Sequence, residues 1–311
     1  MSPGPSFLVL TGLFLTVAAL ERVPASQFRP ARLLRPFAAT DAAWYLVATT
    51  ANLISTFVLR PQLSKLAIPG VADSVVGLPF VVRILVAVVV YDFVAFAVHV
   101  GIHRSDRLWS VHKVHHSSLQ LDGLATTRTH MFEHLLRNVP AQATLFALGM
   151  SAPTVATTLV IYAAFALHGH SNLRVGGRWL ELVFVTPRLH RLHHLPATTQ
   201  KNFGTVFTIW DRLFGRFISR DARPSERTGV PGEIDEYPQR FVAAFCRPMK
   251  EARDGALTRA LAPRTPIEAA AEGVGFEPTV PQGHNGFRDP CGCGRSRLCE
   301  SGRTASGGSG I

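Results

Sequence analysis

Charge is scarce in this chain. Only 17% of its 311 residues are Asp, Glu, Lys or Arg, against roughly 25% in ordinary soluble domains. Mean hydropathy is +0.18. So little polar surface argues against a soluble globule, and apolar residues running to about position 220 exclude disorder over that stretch. Cysteine is missing until Cys246, with Cys291, Cys293 and Cys299 after it, which excludes a disulfide-stapled secreted domain. Lysine is almost absent too: only Lys65, Lys113, Lys201 and Lys250 occur, so the formal charge of +11 is carried by arginine. The weight of Arg, Ala, Gly and Pro points to a GC-rich bacterial gene. Histidine is lacking before position 99.

What is present in quantity is apolar runs. Residues 7–20 predict a short first helix beginning near Ser2, with no basic n-region of a signal peptide before it. Residues 42–59 carry no charge and predict a second span. A third is expected from about Val75 to Val98, broken by Pro79 and carrying Arg83. The region 139–168 is long enough to cross once, but Gly149-Met150-Ser151-Ala152-Pro153 at its centre predicts a re-entrant helical hairpin instead. Arg22, Arg29, Arg32 and Arg35 follow the first run, and Arg104, Arg107, Lys113, Arg128 and Arg137 follow the third. By the positive-inside rule these segments face the cytoplasm, which the hairpin reading also requires. The expected fold is all-α: a multi-pass helical membrane protein with a cytosolic helical cap. Its divisions are membrane helices over 1–74, a catalytic domain over 75–220, a cytosolic segment over 221–262, and a disordered or spurious tail over 263–311. That tail is rich in Gly, Pro, Ser and Arg, and its Cys291-Gly-Cys293 with Cys299 lacks the ligand spacing of a zinc site.

Thirteen histidines occur, and twelve lie between His99 and His194. His99 and His103 stand at i and i+4, one above the other on a helix. His112, His115 and His116 repeat as i, i+3, i+4, and so do His190, His193 and His194. Eight neutral imidazoles directed at one volume can bind two transition-metal ions, and without metal they are costly groups to bury near a bilayer. A single core histidine usually does nothing but hydrogen-bond; three motifs together argue otherwise. His130 and His134 form one pair that can simply face water, and His168 and His170 can merely end a helix. Structural zinc prefers closed Cys/His tetrahedra. The His-Glu-x-x-His of zinc hydrolases and the Glu-x-x-His of ferritin-type sites are both missing. A site rich in imidazole and poor in carboxylate suits iron or copper redox chemistry. Asp92, Asp106, Glu133 and Asp211 are candidates to receive the outer ring N–H groups.

These motifs, in order, carry a resemblance. His99-x-x-x-His103, Trp109-x-x-His112-x-x-His115-His116 and Thr186-Pro187-x-x-His190-x-x-His193-His194 resemble the fatty acid hydroxylase / sterol desaturase superfamily. So do His170-Ser171-Asn172-Leu173, Asn202-Phe203-Gly204 and Trp210-Asp211-Arg212-Leu213-Phe214-Gly215. Arg128-Thr129-His130-x-x-Glu133 is similar to that family's Arg-x-His-Pro-x-Glu element, with Met131 in place of proline. The resemblance covers roughly 75–220. It implies an integral-membrane oxygenase with two iron ions, using O2 as co-substrate to hydroxylate a C–H bond of a lipid. The eight motif histidines would hold the irons, with His170 as a ninth ligand and His130 or His168 as further candidates. No haem-binding or ferredoxin-like segment occurs, so electrons are expected from a separate donor protein. The expected location is a bacterial inner membrane with the metal site on the cytoplasmic side. A lipid desaturase would use the same site. A zinc-dependent membrane hydrolase and an inactive scaffold are more distant readings, and nucleic-acid binding would explain the arginines but neither the histidines nor the spans.

Overall fold

Uninterrupted runs of Leu, Val, Ala and Phe have no route to satisfy their backbone groups in an apolar surrounding except as helices, and helices are what they form. The computed structural model describes residues 3–23, 27, 37–175, 177–223 and 225–261. Helix α1 is Pro3–Leu20 and α2 is Ala38–Leu66. The short α3, Pro69–Val76, precedes α4, Phe80–Arg104. Then come α5, Asp106–His116; α6, Met131–Ala147; α7, Ala152–His170; α8, Pro187–His193; α9, Ile209–Leu213; and α10, Phe241–Leu261. Among the described residues there is no strand, only two isolated bridges, Gln27 with Leu173 and Phe184 with Phe207. The expected 263–311 tail lies outside the described residues.

Three helices, α2, α4 and α7, are long and apolar enough to cross a membrane. Their outer faces present large bare side chains such as Phe57, 62% exposed, and Val81, 67% exposed. Lipid removes the cost that such surface would carry in water. Their inner faces close a core in which Ala87, Tyr91 and Ala95 of α4 meet Ala141 and Leu145 of α6.

Two expected boundaries are corrected. The second span runs well past 42–59, because a five-residue π turn, Ser55–Leu59, carries the helix on into Leu66. The third does not begin at Val75. That residue lies in the last turn of α3, and Pro79, with ψ 145°, stands as the N-cap of α4. A ring lacking an N–H fits the start of a helix and not its interior.

The 149–153 stretch between α6 and α7 folds as its residues dictate. Gly149 takes φ +77°, and its N–H and that of Met150 return to the carbonyls of Phe146 and Leu145, closing α6 as a left-handed C-cap does. Ser151 then caps α7, accepting from the Thr154 N–H. A Cβ at Gly149 would stand 2.4 Å from the Ala72 Cβ of α3. Gly149→Ala therefore combines left-handed strain with a clash, and should cost about 2–5 kcal/mol, read as a lowered Tm of the purified protein.

Candidate metal centre

Four helices converge their histidines. α4 supplies His99 and His103 from its last turns, α5 supplies His112, His115 and His116, α7 ends on His170, and α8 with its C-cap supplies His190, His193 and His194. All nine are buried, and their ligand nitrogens fall into two groups, each within 4.8 Å: His99, His103, His112, His116 and His193; and His115, His170, His190 and His194. Each three-histidine box is divided between them. His112 and His116, four residues apart, enter the first group while His115 turns to the second; His190 and His194 enter the second while His193 turns to the first. The stacked rings of His116 and His194, 4.5 Å apart, join the groups. The structure brings neither His130 nor His168 into them. His130 caps α6, accepting from the Phe132 N–H, and stacks on Phe245. His168 is half-buried. His134 lines a cavity, where its Nε2 meets Asn52 Oδ1 at 3.1 Å.

Five of the nine rings are fixed from behind. The Nδ1–H of His99 donates to the Phe203 carbonyl (2.9 Å), that of His115 to Arg128 (3.2 Å), that of His170 to Ala166 (2.8 Å) and that of His193 to Lys201 (2.8 Å). His112 Nδ1 meets Glu133 Oε1 at 2.7 Å. Among the four candidate carboxylates, Glu133 is thus the direct partner of a ring. Asp211 acts one step removed: its oxygens accept the N–H groups of Phe203 and Gly204, both at 2.8 Å, setting the carbonyl that His99 uses. Asp92 accepts from Val206 and Phe207 N–H and from Trp210 Nε1. Asp106 is exposed and serves none of them.

The same contacts explain the Asn-Phe-Gly motif. Asn202 takes φ +56°, a conformation that Asn tolerates, and its side chain ties the turn to Leu189 and Ile218. The Phe203 ring lies 4.9–5.3 Å from those of His99, His103 and His193. At Gly204 a Cβ would meet the Phe207 carbonyl at 2.6 Å.

Burial, reinforced by neighbouring imidazoles, holds His112, His115, His116, His190 and His194 well below the ordinary histidine range, and lowers His193 to about 3. They are neutral at pH 7, with lone pairs to offer. His115 and His170 both give their Nδ1–H to backbone carbonyls, so their Nε2 atoms, 3.0 Å apart, confront each other as bare lone pairs. That is repulsive unless a cation lies between. An ion about 2.1 Å from each nitrogen would fit between them and turn the repulsion into ligation. His99 and His112 repeat the arrangement at 3.1 Å when Glu133 carries its charge. Both nitrogens of His103 and His116, His193 Nε2 and His194 Nδ1 are buried with no hydrogen-bond partner, a condition native cores avoid. The donor set fits two metal ions, one to five imidazoles and one to four.

Burial raises the Glu133 carboxyl to about 8, with Arg137 opposing the rise. As the acceptor behind His112 it orients that ring, and such partners typically govern metal affinity by 10–100-fold. Glu133→Ala should lose about that factor in competitive chelator titration.

A cavity of about 580 Å3 opens beside the histidines. Its lining includes His115, His170 and His190, all of the four-histidine group, and extends between α1, α2, α6 and α7.

Residues 84–216, which contain all nine histidines, match the fatty acid hydroxylase family model. Over this stretch, less than half of the chain, the protein is similar to that family. The chain is 30% identical over 172 residues to the ornithine lipid hydroxylase OlsE of Rhizobium tropici, covering 55% of this chain and 51% of that protein. It is 29% identical over 138 residues to an alkylglycerol monooxygenase of Caenorhabditis elegans, 40% of this chain and 25% of that one. It is 27% identical over 124 residues to the sphingolipid C4-hydroxylase sur2 of Schizosaccharomyces pombe, 39% of this chain and 42% of that one. The match thus spans about half the length of the Rhizobium protein and less of the other two. No solved structure matches.

Proposed function

We propose that this protein is a membrane-bound, non-haem di-iron oxygenase that hydroxylates a C–H bond of a lipid. The observation that carries the reading is the pair of buried histidine groups, with lone pairs of His115 and His170 opposed at 3.0 Å. Relatives named as lipid hydroxylases and an alkylglycerol monooxygenase favour hydroxylation over desaturation. One iron would be held by His99, His103, His112, His116 and His193, the other by His115, His170, His190 and His194. When bound, the iron pair supplies an O2-derived oxidant strong enough for an unactivated C–H bond.

The chain's own residues do the rest. Glu133 and the carbonyls of Phe203, Arg128, Ala166 and Lys201 orient the rings. The cavity walls present one carbon of the lipid to the four-histidine side and keep bulk water out. In balance, one oxygen atom of O2 enters the C–H bond and the other leaves as water, with two electrons from a separate donor protein and two protons. Arginines of the first loop and of the segments after α4 support a cytoplasmic metal site in a bacterial inner membrane.

Two measurements test this. Purified protein should hold about two irons per chain by elemental analysis. Cells expressing it should gain a lipid heavier by one oxygen, dependent on O2 and lost in His193→Ala. Zinc in place of iron, with an O2-independent change in lipid, would overturn it.

A further inference from the structure

The cavity has two unlike walls. On one side stand Leu10 and Phe14 of α1 with Ala156, Leu159, Val160 and Ala163 of α7. On the other, besides Ala48, Leu53 and Phe57, α2 turns Tyr45, Thr49, Asn52, Thr56 and Arg60 toward the space. Their spacings of four, three, four and four residues put them on one helix face. A span that needed only to border a hydrocarbon chain would not carry a polar stripe along it.

Arg60 is the strongest feature of that stripe. Its Nε donates to Gln142 Oε1 at 3.0 Å, and Gln142 Nε2 donates to Ser55 Oγ at 3.0 Å. Ser55 opens the π turn, and Gln142 and Ser55 are both buried. One edge of the guanidinium is therefore spent on holding it over the cavity, and the terminal nitrogens remain. The cavity's other arginine, Arg137, has Glu133 at 3.7 Å; Arg60 has no carboxylate within 4.0 Å among the described residues. A guanidinium in a span without a counter-charge is costly, and its planar fork suits carboxylate or phosphate.

We infer that the cavity takes an amphiphile bearing an oxyanion, whose anionic group is held by Arg60 while its apolar part lies on the α1–α7 wall. This names a substrate class and rests on the proposed lipid-hydroxylase reading. Gln142 stands nine residues beyond Glu133 on α6, about 13 Å along the axis. The anion is therefore held well away from the histidines, and the carbon oxidised is remote from the charged end.

The test is equilibrium binding to the iron-loaded full chain in neutral detergent, with hexadecanoate, hexadecyl phosphate and hexadecanol as matched probes. Both anions should bind at least about tenfold more tightly than the alcohol. The tighter of the two distinguishes a fatty carboxylate from a phosphate headgroup. Arg60→Gln should erase the preference and leave hexadecanol binding unchanged; Arg60→Met, apolar and unbranched, replaces it should that variant not fold. Equal binding of all three probes by the wild type, or a preference that survives in the variants, overturns the inference. Binding needs neither O2 nor turnover, so its failure is distinct from failure of the hydroxylase reading, which iron content and the lipid product decide.

Discussion

His170→Ala should remove roughly half of the bound iron and all of the hydroxylated product, while His168→Ala, two residues away on the same helix, should leave both intact. The two rings differ only in where the last turn of α7 sends them. His170 is buried; its Nδ1–H is fixed to the Ala166 carbonyl, and its Nε2 lies 3.0 Å from that of His115 and 3.1 Å from that of His190. Its removal leaves His115, His190 and His194, three donors in the group that borders the cavity. Residues that act as a unit fail as a unit, so the five-histidine group retaining its ion would not rescue the reaction. His168 lies outside both groups and is half-buried. Elemental analysis beside lipid mass spectrometry reads both variants. Full iron and full product in His170→Ala would remove that residue from the site, and equal losses in both would point to damage to the helix end.

Much of this site was legible because imidazoles at i, i+3 and i+4 on short helices announce a shared locus, and because no other feature of the chain accounts for twelve histidines within a hundred residues. What spacing does not give is the partition. Helical geometry says that His112, His115 and His116 project from one side of α5, but which of them meets His99 and which meets His170 depends on where α4 and α7 cross it. The same limit kept Asp92, Asp106, Glu133 and Asp211 equivalent until tertiary contacts separated them. Glu133 reaches a ring, Asp211 reaches the loop behind a ring, and Asp92 ties α4 to the 206–210 segment. α2 and α4 were legible as spans from composition, whereas α7, expected as half of a re-entrant hairpin, is by itself long and apolar enough to cross; the π turn in α2 was not legible from hydropathy. Pro79 was visible as a break, but whether it kinked one helix or started another was decided by α3 packing Ala72 against Gly149.

Asp41→Ala is expected to destabilise the protein by about 3–5 kcal/mol, the usual result of breaking a buried ion pair from one side. Asp41 Oδ1 accepts from Arg128 Nε at 2.6 Å, with both side chains at 2% exposure or less. The guanidinium also donates to Ser117 Oγ at 3.1 Å and Gln239 Oε1 at 2.8 Å. One side chain thus ties the start of α2, the end of α5 and the segment leading into α10. Its backbone does further work, since the Arg128 carbonyl receives His115 Nδ1–H. Deleting Asp41 takes the carboxylate away from a buried guanidinium, a larger penalty than the pair itself was worth. The double variant Asp41→Leu/Arg128→Met should therefore recover most of the lost Tm, because replacing both partners removes the charge that had to be compensated. Arg128→Lys in the otherwise native chain should itself lower Tm, since an ammonium cannot satisfy Asp41, Ser117 and Gln239 from one plane. Iron content should follow Tm in Asp41→Ala, as displacement of the 128 carbonyl frees the His115 ring. A double variant as unstable as the single one would assign the stability to the Ser117 and Gln239 hydrogen bonds instead of to the ion pair.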